Sequence, residues 1–121
     1  MDKRLLLEKL GLARETRNES LFLELLEDIY ADSHENLEDI MEINDAVLDA
    51  LEEFGWLDRM IEFAADMVRQ DPSNAQRKAE LGSYYYKKGY MDKAEIFFVS
   101  SLELKENPIA RFYLDKIHES L

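Results

Sequence analysis

Cysteine is absent from the 121 residues, which excludes a disulfide framework, a thiolate metal site and a cysteine nucleophile. Two prolines and four glycines leave little chain for long loops or linkers. No apolar run approaches the roughly 18 residues of a membrane span. The patch of Leu5, Leu6 and Leu7 is also too short for a signal peptide, so the expectation is a cytoplasmic protein with no membrane contact. Histidine is scarce as well. His34 and His118 stand alone, neither beside a serine motif or a glycine-rich loop, so Ser/His/acid chemistry has no candidate. No carboxylate is marked by an apolar pocket that would raise its pKa. The sequence therefore predicts no catalytic residue and no cofactor. His34, Glu35, Glu38 and Asp39 cluster, with His34 and Glu38 at i, i+4, but the calcium-loop and di-iron spacings are missing. A solvated polar turn is expected there, and no metal site.

Basic residues are missing from one third of the chain. Between Asn18 and Asp58 there is no Lys or Arg. Residues 1–17 carry five basic and three acidic side chains, residues 18–71 two basic and seventeen acidic, and residues 72–121 eight basic and seven acidic. The overall charge of −12 is thus concentrated in the middle of the chain. Direct nucleic-acid binding needs basic surface to displace counterions from phosphates, and this distribution argues against it.

What the sequence does have is helical periodicity, with a hydrophobic content of 46% that is too rich for a disordered chain. Residues 2 to about 13 read as a first helix burying Leu5, Leu6 and Leu10, its end weakened by Gly11 and the polar run 14–18. Asn18 or Ser20 is placed to cap a second helix, in which Leu21, Phe22, Leu25, Leu26, Ile29 and Tyr30 form one stripe. Asp32 and Ser33 interrupt that stripe, and Ser33 is placed to cap a third helix through Phe54; one long helix is the alternative. Asn107 followed by Pro108 is a start signal for a last helix, with Ala110, Tyr113, Leu114, Ile117 and Leu121 on its apolar side and Arg111 and Lys116 toward solvent.

Residues 75–108 are the most informative stretch. Leu81 and Tyr85 lie on the apolar stripe of one helix, and Gly82 within it calls for the close approach of a neighbour. Gly89 stands where a left-handed helix end is needed. Asp92 opens a second helix with Ala94, Phe97, Phe98, Ser101 and Leu102 on one side. Tyr85 is expected in the core, with Tyr84 and Tyr86 flanking it on the surface. A lone pair of helices cannot bury both faces, so neighbours are required.

The pattern Leu81-Gly82-x-x-Tyr85, Gly89, and Ala94-x-x-x-Phe98 resembles a tetratricopeptide repeat. The chain departs from that family at Lys78, where Trp is favoured, at Ser101, where Ala is favoured, and at Pro108, two residues late. A shift of 34 residues maps Gly89 onto Gly55, Leu81 onto Val47, Tyr85 onto Leu51 and Leu102 onto Val68. Ala94 maps onto Met60 and Phe98 onto Ala64, an inversion of small and large that conserves volume. The resemblance thus implies an all-α, right-handed stack of helical hairpins, about seven helices in one domain. Its parts are an N-terminal flank (1–40, without a defensible register), a degenerate repeat (41–74), a repeat (75–108) and a capping helix (109–121).

In that family the first helix of each pair lines a concave groove for a peptide. The corresponding positions are Glu42, Asp45, Asp49 and Glu52 in the degenerate repeat, and Gln76, Ala79, Ser83 and Tyr86 in the other. The first four are all acidic at i, i+3, i+7 and i+10, so one helical face is a carboxylate stripe whatever the family. Charge runs usually do no more than solvate a face. Mixed signs would serve that end and form i, i+4 pairs, which three such acidic helices forgo. The expected function is a non-enzymatic protein-interaction module whose acidic groove takes a basic segment of a partner, with Tyr86 as an amphipathic anchor. Members that clamp an acidic C-terminus do so with Lys, Arg and Asn, the wrong sign for this surface. The alternatives are a small acidic chaperone of the secretion type holding a partly unfolded client, and a structural subunit of a homo-oligomer.

Overall fold

A computed structural model describes residues 2–31 and 37–120, with side chains at 2–29 and 41–120. Among these residues the protein is all-α, with seven helices and no strand. They are α1 (Lys3–Thr16), α2 (Glu19–Ala31), α3 (Leu37–Phe54), α4 (Leu57–Gln70), α5 (Ala75–Lys88), α6 (Met91–Leu104) and α7 (Pro108–Glu119). None is long and apolar enough to cross a membrane. The chain forms two compact units, residues 1–56 and 57–121, and the division falls inside the stretch 41–74. The cap expected at Ser33 and the group around His34 and Glu35 lie outside the described residues.

In the first unit α1 packs against both α2 and α3. Asp2 caps α1 by accepting from the Arg4 amide (3.2 Å), and Asn18 caps α2 by accepting from the Leu21 amide (3.0 Å). The buried stripe of α1 is Leu6, Leu10 and Ala13. Leu5, expected in the core, is 43% exposed. One residue turns a helix by about 100°, so a core centred on Leu6 and Leu10 rotates Leu5 outward. The helix also runs through Gly11 to Thr16, past the expected weak end, and the Thr16 hydroxyl donates back to the Leu12 carbonyl (2.7 Å). On α2 the predicted stripe holds: Phe22, Leu25, Leu26 and Ile29 are buried and Leu21 half-buried, Tyr30 lying beyond the described side chains. Phe22 sits 5.3 Å from Phe54 and 5.8 Å from Trp56 between ring centroids, while Phe54 stacks on Trp56 at 4.9 Å. Three rings from α2, the end of α3 and the residues after it thus close this unit.

In the second unit α4 packs on α5, α5 on α6, and α7 on both α5 and α6. Asp58 at the start of α4 meets Lys88 at the end of α5 (2.8 Å), where both helix dipoles favour those charges. Hydrogen bonding to Asp58 raises the Lys88 ammonium above its ordinary range. The core shared by α5, α6 and α7 contains Ala79, Ala94, Phe98, Ala110, Leu114 and Ile117. Phe98 is fully buried and nearly parallel to Tyr113, with centroids 5.5 Å apart. Small residues surround it for a steric reason: a Cβ built on Gly82 would lie 2.7 Å from Phe98 Cε1. The close approach expected at Gly82 is therefore the edge of one aromatic ring.

The other expectations for this stretch divide. Leu81, Ala94 and Ser101 are buried, and Tyr85, Phe97 and Leu102 half-buried. Tyr84 is buried at 9% exposure, against the expectation of a surface residue, because α5 lies between α4 and α6 and has more than one side to fill. Tyr85 is half-buried, stacked on Phe97 at 5.7 Å, and Lys93 lies over its outer face. Asn107 caps α7 by accepting from the Ile109 (2.9 Å) and Ala110 (3.2 Å) amides, and Arg111 and Lys116 are exposed, as the start signal implied.

Three helix ends close in the same way. At α5 the Gly89 amide donates to Tyr86 (3.0 Å) and the Tyr90 amide to Tyr85 (2.9 Å). At α3 Gly55 donates to Glu52 (3.0 Å) and Trp56 to Leu51 (3.0 Å); at α1 Arg17 donates to Arg14 (3.3 Å) and Asn18 to Ala13 (2.9 Å). The residue at the turn has positive φ each time: 90° at Gly89, 77° at Gly55 and 51° at Arg17. The next helix begins two residues later in all three. Residues 1–40, which show no repeat register in sequence, therefore share the helix-ending device, with arginine in the place of glycine.

Candidate functional site

Helix α3 presents Glu42, Asp45, Asp49 and Glu52 together on its outer side, all four exposed. Its opposite side is buried through Ile43, Val47, Ala50 and Leu51, and this apolar register keeps the carboxylates in water. The helix has no Lys or Arg of its own and so forgoes i, i+4 pairs of opposite charge, but α1 supplies cations from outside it. Lys3 Nζ is 3.3 Å from Glu42 Oε2, and the Arg14 guanidinium donates to the Glu53 carboxylate. That hydrogen bond and the charge of Glu53 raise the Arg14 pKa further, with smaller contributions from Asp49 and Glu15. The net positive segment 1–17 thus flanks the carboxylate stripe at two points, near Glu42 and near Asp49.

The second group of expected site residues lies in the other unit and serves its packing. Gln76 is exposed, and its side-chain oxygen accepts from Asn107 Nδ2 (3.0 Å) while its nitrogen donates to Glu80 (3.4 Å). Ala79 is fully buried in the core shared with α7. Ser83 is 7% exposed, and its hydroxyl donates to the Glu80 carbonyl (2.6 Å), so it is not presented at the surface. Tyr86 is half-buried against Tyr113, with centroids 4.9 Å apart. Of this group, only Gln76 and the open part of Tyr86 can meet a partner.

Sequence reasoning passed over Glu80 and saw only half of Asn107. Glu80 accepts from the buried Arg77 guanidinium (3.0 Å) as well as from Gln76. Asn107 is 7% exposed and does two jobs, capping α7 with its oxygen and holding Gln76 with its nitrogen. The i, i+3 spacing of Arg77 and Glu80 was the available signal for that pair. Two of the three departures from the repeat pattern carry hydrogen bonds between α5 and α6: Lys78 Nζ donates to Ser100 Oγ, and Ser101 Oγ to the Ala75 carbonyl, each at 2.7 Å.

Among the described residues no group of His, Asp and Glu could hold a metal ion. The chemistry available on α3 is electrostatic, an array of exposed carboxylates with cations at its edge. Such an array attracts and orients a cationic partner by long-range forces that salt weakens. No protein-family model matches the chain, and no curated protein does either.

Proposed function

We propose that the protein is a cytoplasmic, non-catalytic interaction module that receives a basic segment of another protein on the outer side of α3. The observation that carries this reading is the exposure of all four carboxylates, Glu42, Asp45, Asp49 and Glu52, on one face of a helix in a chain stretch without Lys or Arg. Desolvating so many like charges is unfavourable unless a partner brings cations. Lys3 and Arg14 act as internal competitors that the partner's cations displace or extend. The reading includes a tetratricopeptide-like architecture, supported by the shared closure of three helix ends and by Gly82 beneath Phe98.

The test is binding of Lys/Arg-rich synthetic peptides to the full chain, read by fluorescence anisotropy at low and raised salt. Wild type is expected to bind, with affinity falling as salt rises. The triple variant Asp45→Lys/Asp49→Lys/Glu52→Lys is expected to lose at least roughly tenfold. Affinity retained in that variant would sink the reading.

A further inference from the structure

A second surface, on α6, is argued independently of α3. A shallow groove of about 540 Å³ runs along that helix, lined by Asp92, Glu95, Ile96, Val99, Ser100 and Glu103. These residues recur at i, i+3, i+4, i+7, i+8 and i+11, a single face about three turns long. It lies off the buried stripe of Ala94, Phe98 and Ser101. At its centre Ile96 is 64% exposed and Val99 38%. Carboxylates stand at both ends, Asp92 and Glu95 on one side of the apolar pair and Glu103 on the other.

Two neighbouring side chains reach this face: the Lys78 ammonium from α5 donates a hydrogen bond to Ser100 Oγ at 2.7 Å, and His118 Nε2 from α7 lies 3.4 Å from Glu95 Oε1. Glu103 is the informative residue. It lies in the last turn of α6, which has no basic side chain, and an acidic residue there opposes the helix dipole. A locally unfavourable charge beside exposed aliphatic surface points to something outside the helix that benefits from it.

We propose that this face docks a basic amphipathic helix of a partner protein. Its apolar side chains lie on Ile96 and Val99, and its Lys or Arg side chains reach Asp92 and Glu95 at one end and Glu103 at the other. Charge complementarity selects the occupant: an acidic helix would be repelled at both ends, and a neutral one would leave the carboxylates partly desolvated without partners. The partner helix needs cations separated by about eleven residues, the distance from Asp92 to Glu103 at 1.5 Å per residue.

The experiment is a titration of the isotope-labelled full chain, followed by amide chemical shifts, with a synthetic helical peptide. That peptide carries leucines along one face and lysines toward both ends; a control carries glutamates in place of the lysines. The lysine peptide is expected to shift amides within 92–103 and the control to leave them unmoved. Ile96→Ser/Val99→Ser is expected to weaken binding roughly tenfold or more. Glu103→Gln is expected to weaken it several-fold and flatten its salt dependence. Ile96 is exposed, so Ile96→Ser alone serves if the double variant loses stability. Equal binding by the variants, no binding, or shifts confined to 42–52 would overturn the proposal; the last would leave the α3 reading standing. Self-association of the wild-type chain that Ile96→Ser abolishes would also overturn it, assigning the face to a second copy.

Discussion

Gly82 is held against the ring of a fully buried phenylalanine, and neither can yield without disturbing the core of α5, α6 and α7. Gly82→Ala should therefore destabilise the fold by about 1–3 kcal/mol despite the better helix propensity of alanine. Chemical denaturation measures it, and a milder loss when Phe98→Leu is added would identify the ring as the obstacle. A second residue-scale outcome concerns acid. The Arg111 guanidinium hydrogen-bonds Glu106 at 3.1 and 3.2 Å and holds its carboxyl below the ordinary glutamate range. A lowered folded-state pKa contributes stability above the ordinary range and loses it as pH falls through the lowered value. Carboxyl NMR titration should find Glu106 below the exposed glutamates in wild type and back among them in Arg111→Met. An unchanged Glu106 would show that the pair does not form in solution. Gly82 was legible in sequence because glycine inside a helix needs a reason. Tyr84 was not, since periodicity assigns one buried stripe and α5 has neighbours on more than one side. Leu5 failed for a related cause: among three consecutive leucines, sequence does not say which points inward, and the contacts of α1 with α2 and α3 decide.

At the scale of elements, the turns after α1, α3 and α5 are one device built with different residues. Glycine adopts positive φ without penalty, whereas arginine is strained there by roughly 1 kcal/mol. Arg17→Gly should therefore stabilise the protein, while Gly55→Ala and Gly89→Ala should destabilise it by about 1 kcal/mol each. Thermal or denaturant midpoints test this, and an Arg17→Gly variant less stable than wild type would contradict the shared geometry. The recurrence at α1 was hidden in sequence because arginine carries no turn signal. The other informative end is the start of α7. Asn107→Ala removes the cap and the bond to Gln76 together and should cost about 1–2 kcal/mol. Amide exchange should then rise first in α7. The Asn107-Pro108 signal was plain in sequence, but the link to Gln76 spans 31 positions and only the packed structure brings it out. The sequence pattern of α6 marks the side carrying Ala94, Phe97, Phe98, Ser101 and Leu102, and it assigns no role to Ile96 and Val99, whose exposure only the packed structure reveals.

Across the whole molecule, charge is distributed with a direction that composition alone conceals. A net positive N-terminal segment supplies Lys3 and Arg14 to an α3 without cations of its own, so part of the acidity is internally balanced. The stripe itself was legible from spacing, since 3.6 residues per turn places 42, 45, 49 and 52 together whatever the tertiary packing. The balancing cations were not, because pairs between α1 and α3 are separated by 39 residues in each case. The most direct measurement is therefore the affinity of one Lys/Arg-rich peptide for wild type and for Asp45→Lys/Asp49→Lys/Glu52→Lys across a salt series. The proposed function predicts salt-sensitive binding to wild type and at least roughly a tenfold loss in the variant. Equal affinity, with the same salt dependence, would contradict it and leave the acidic face of α3 as a solvated surface.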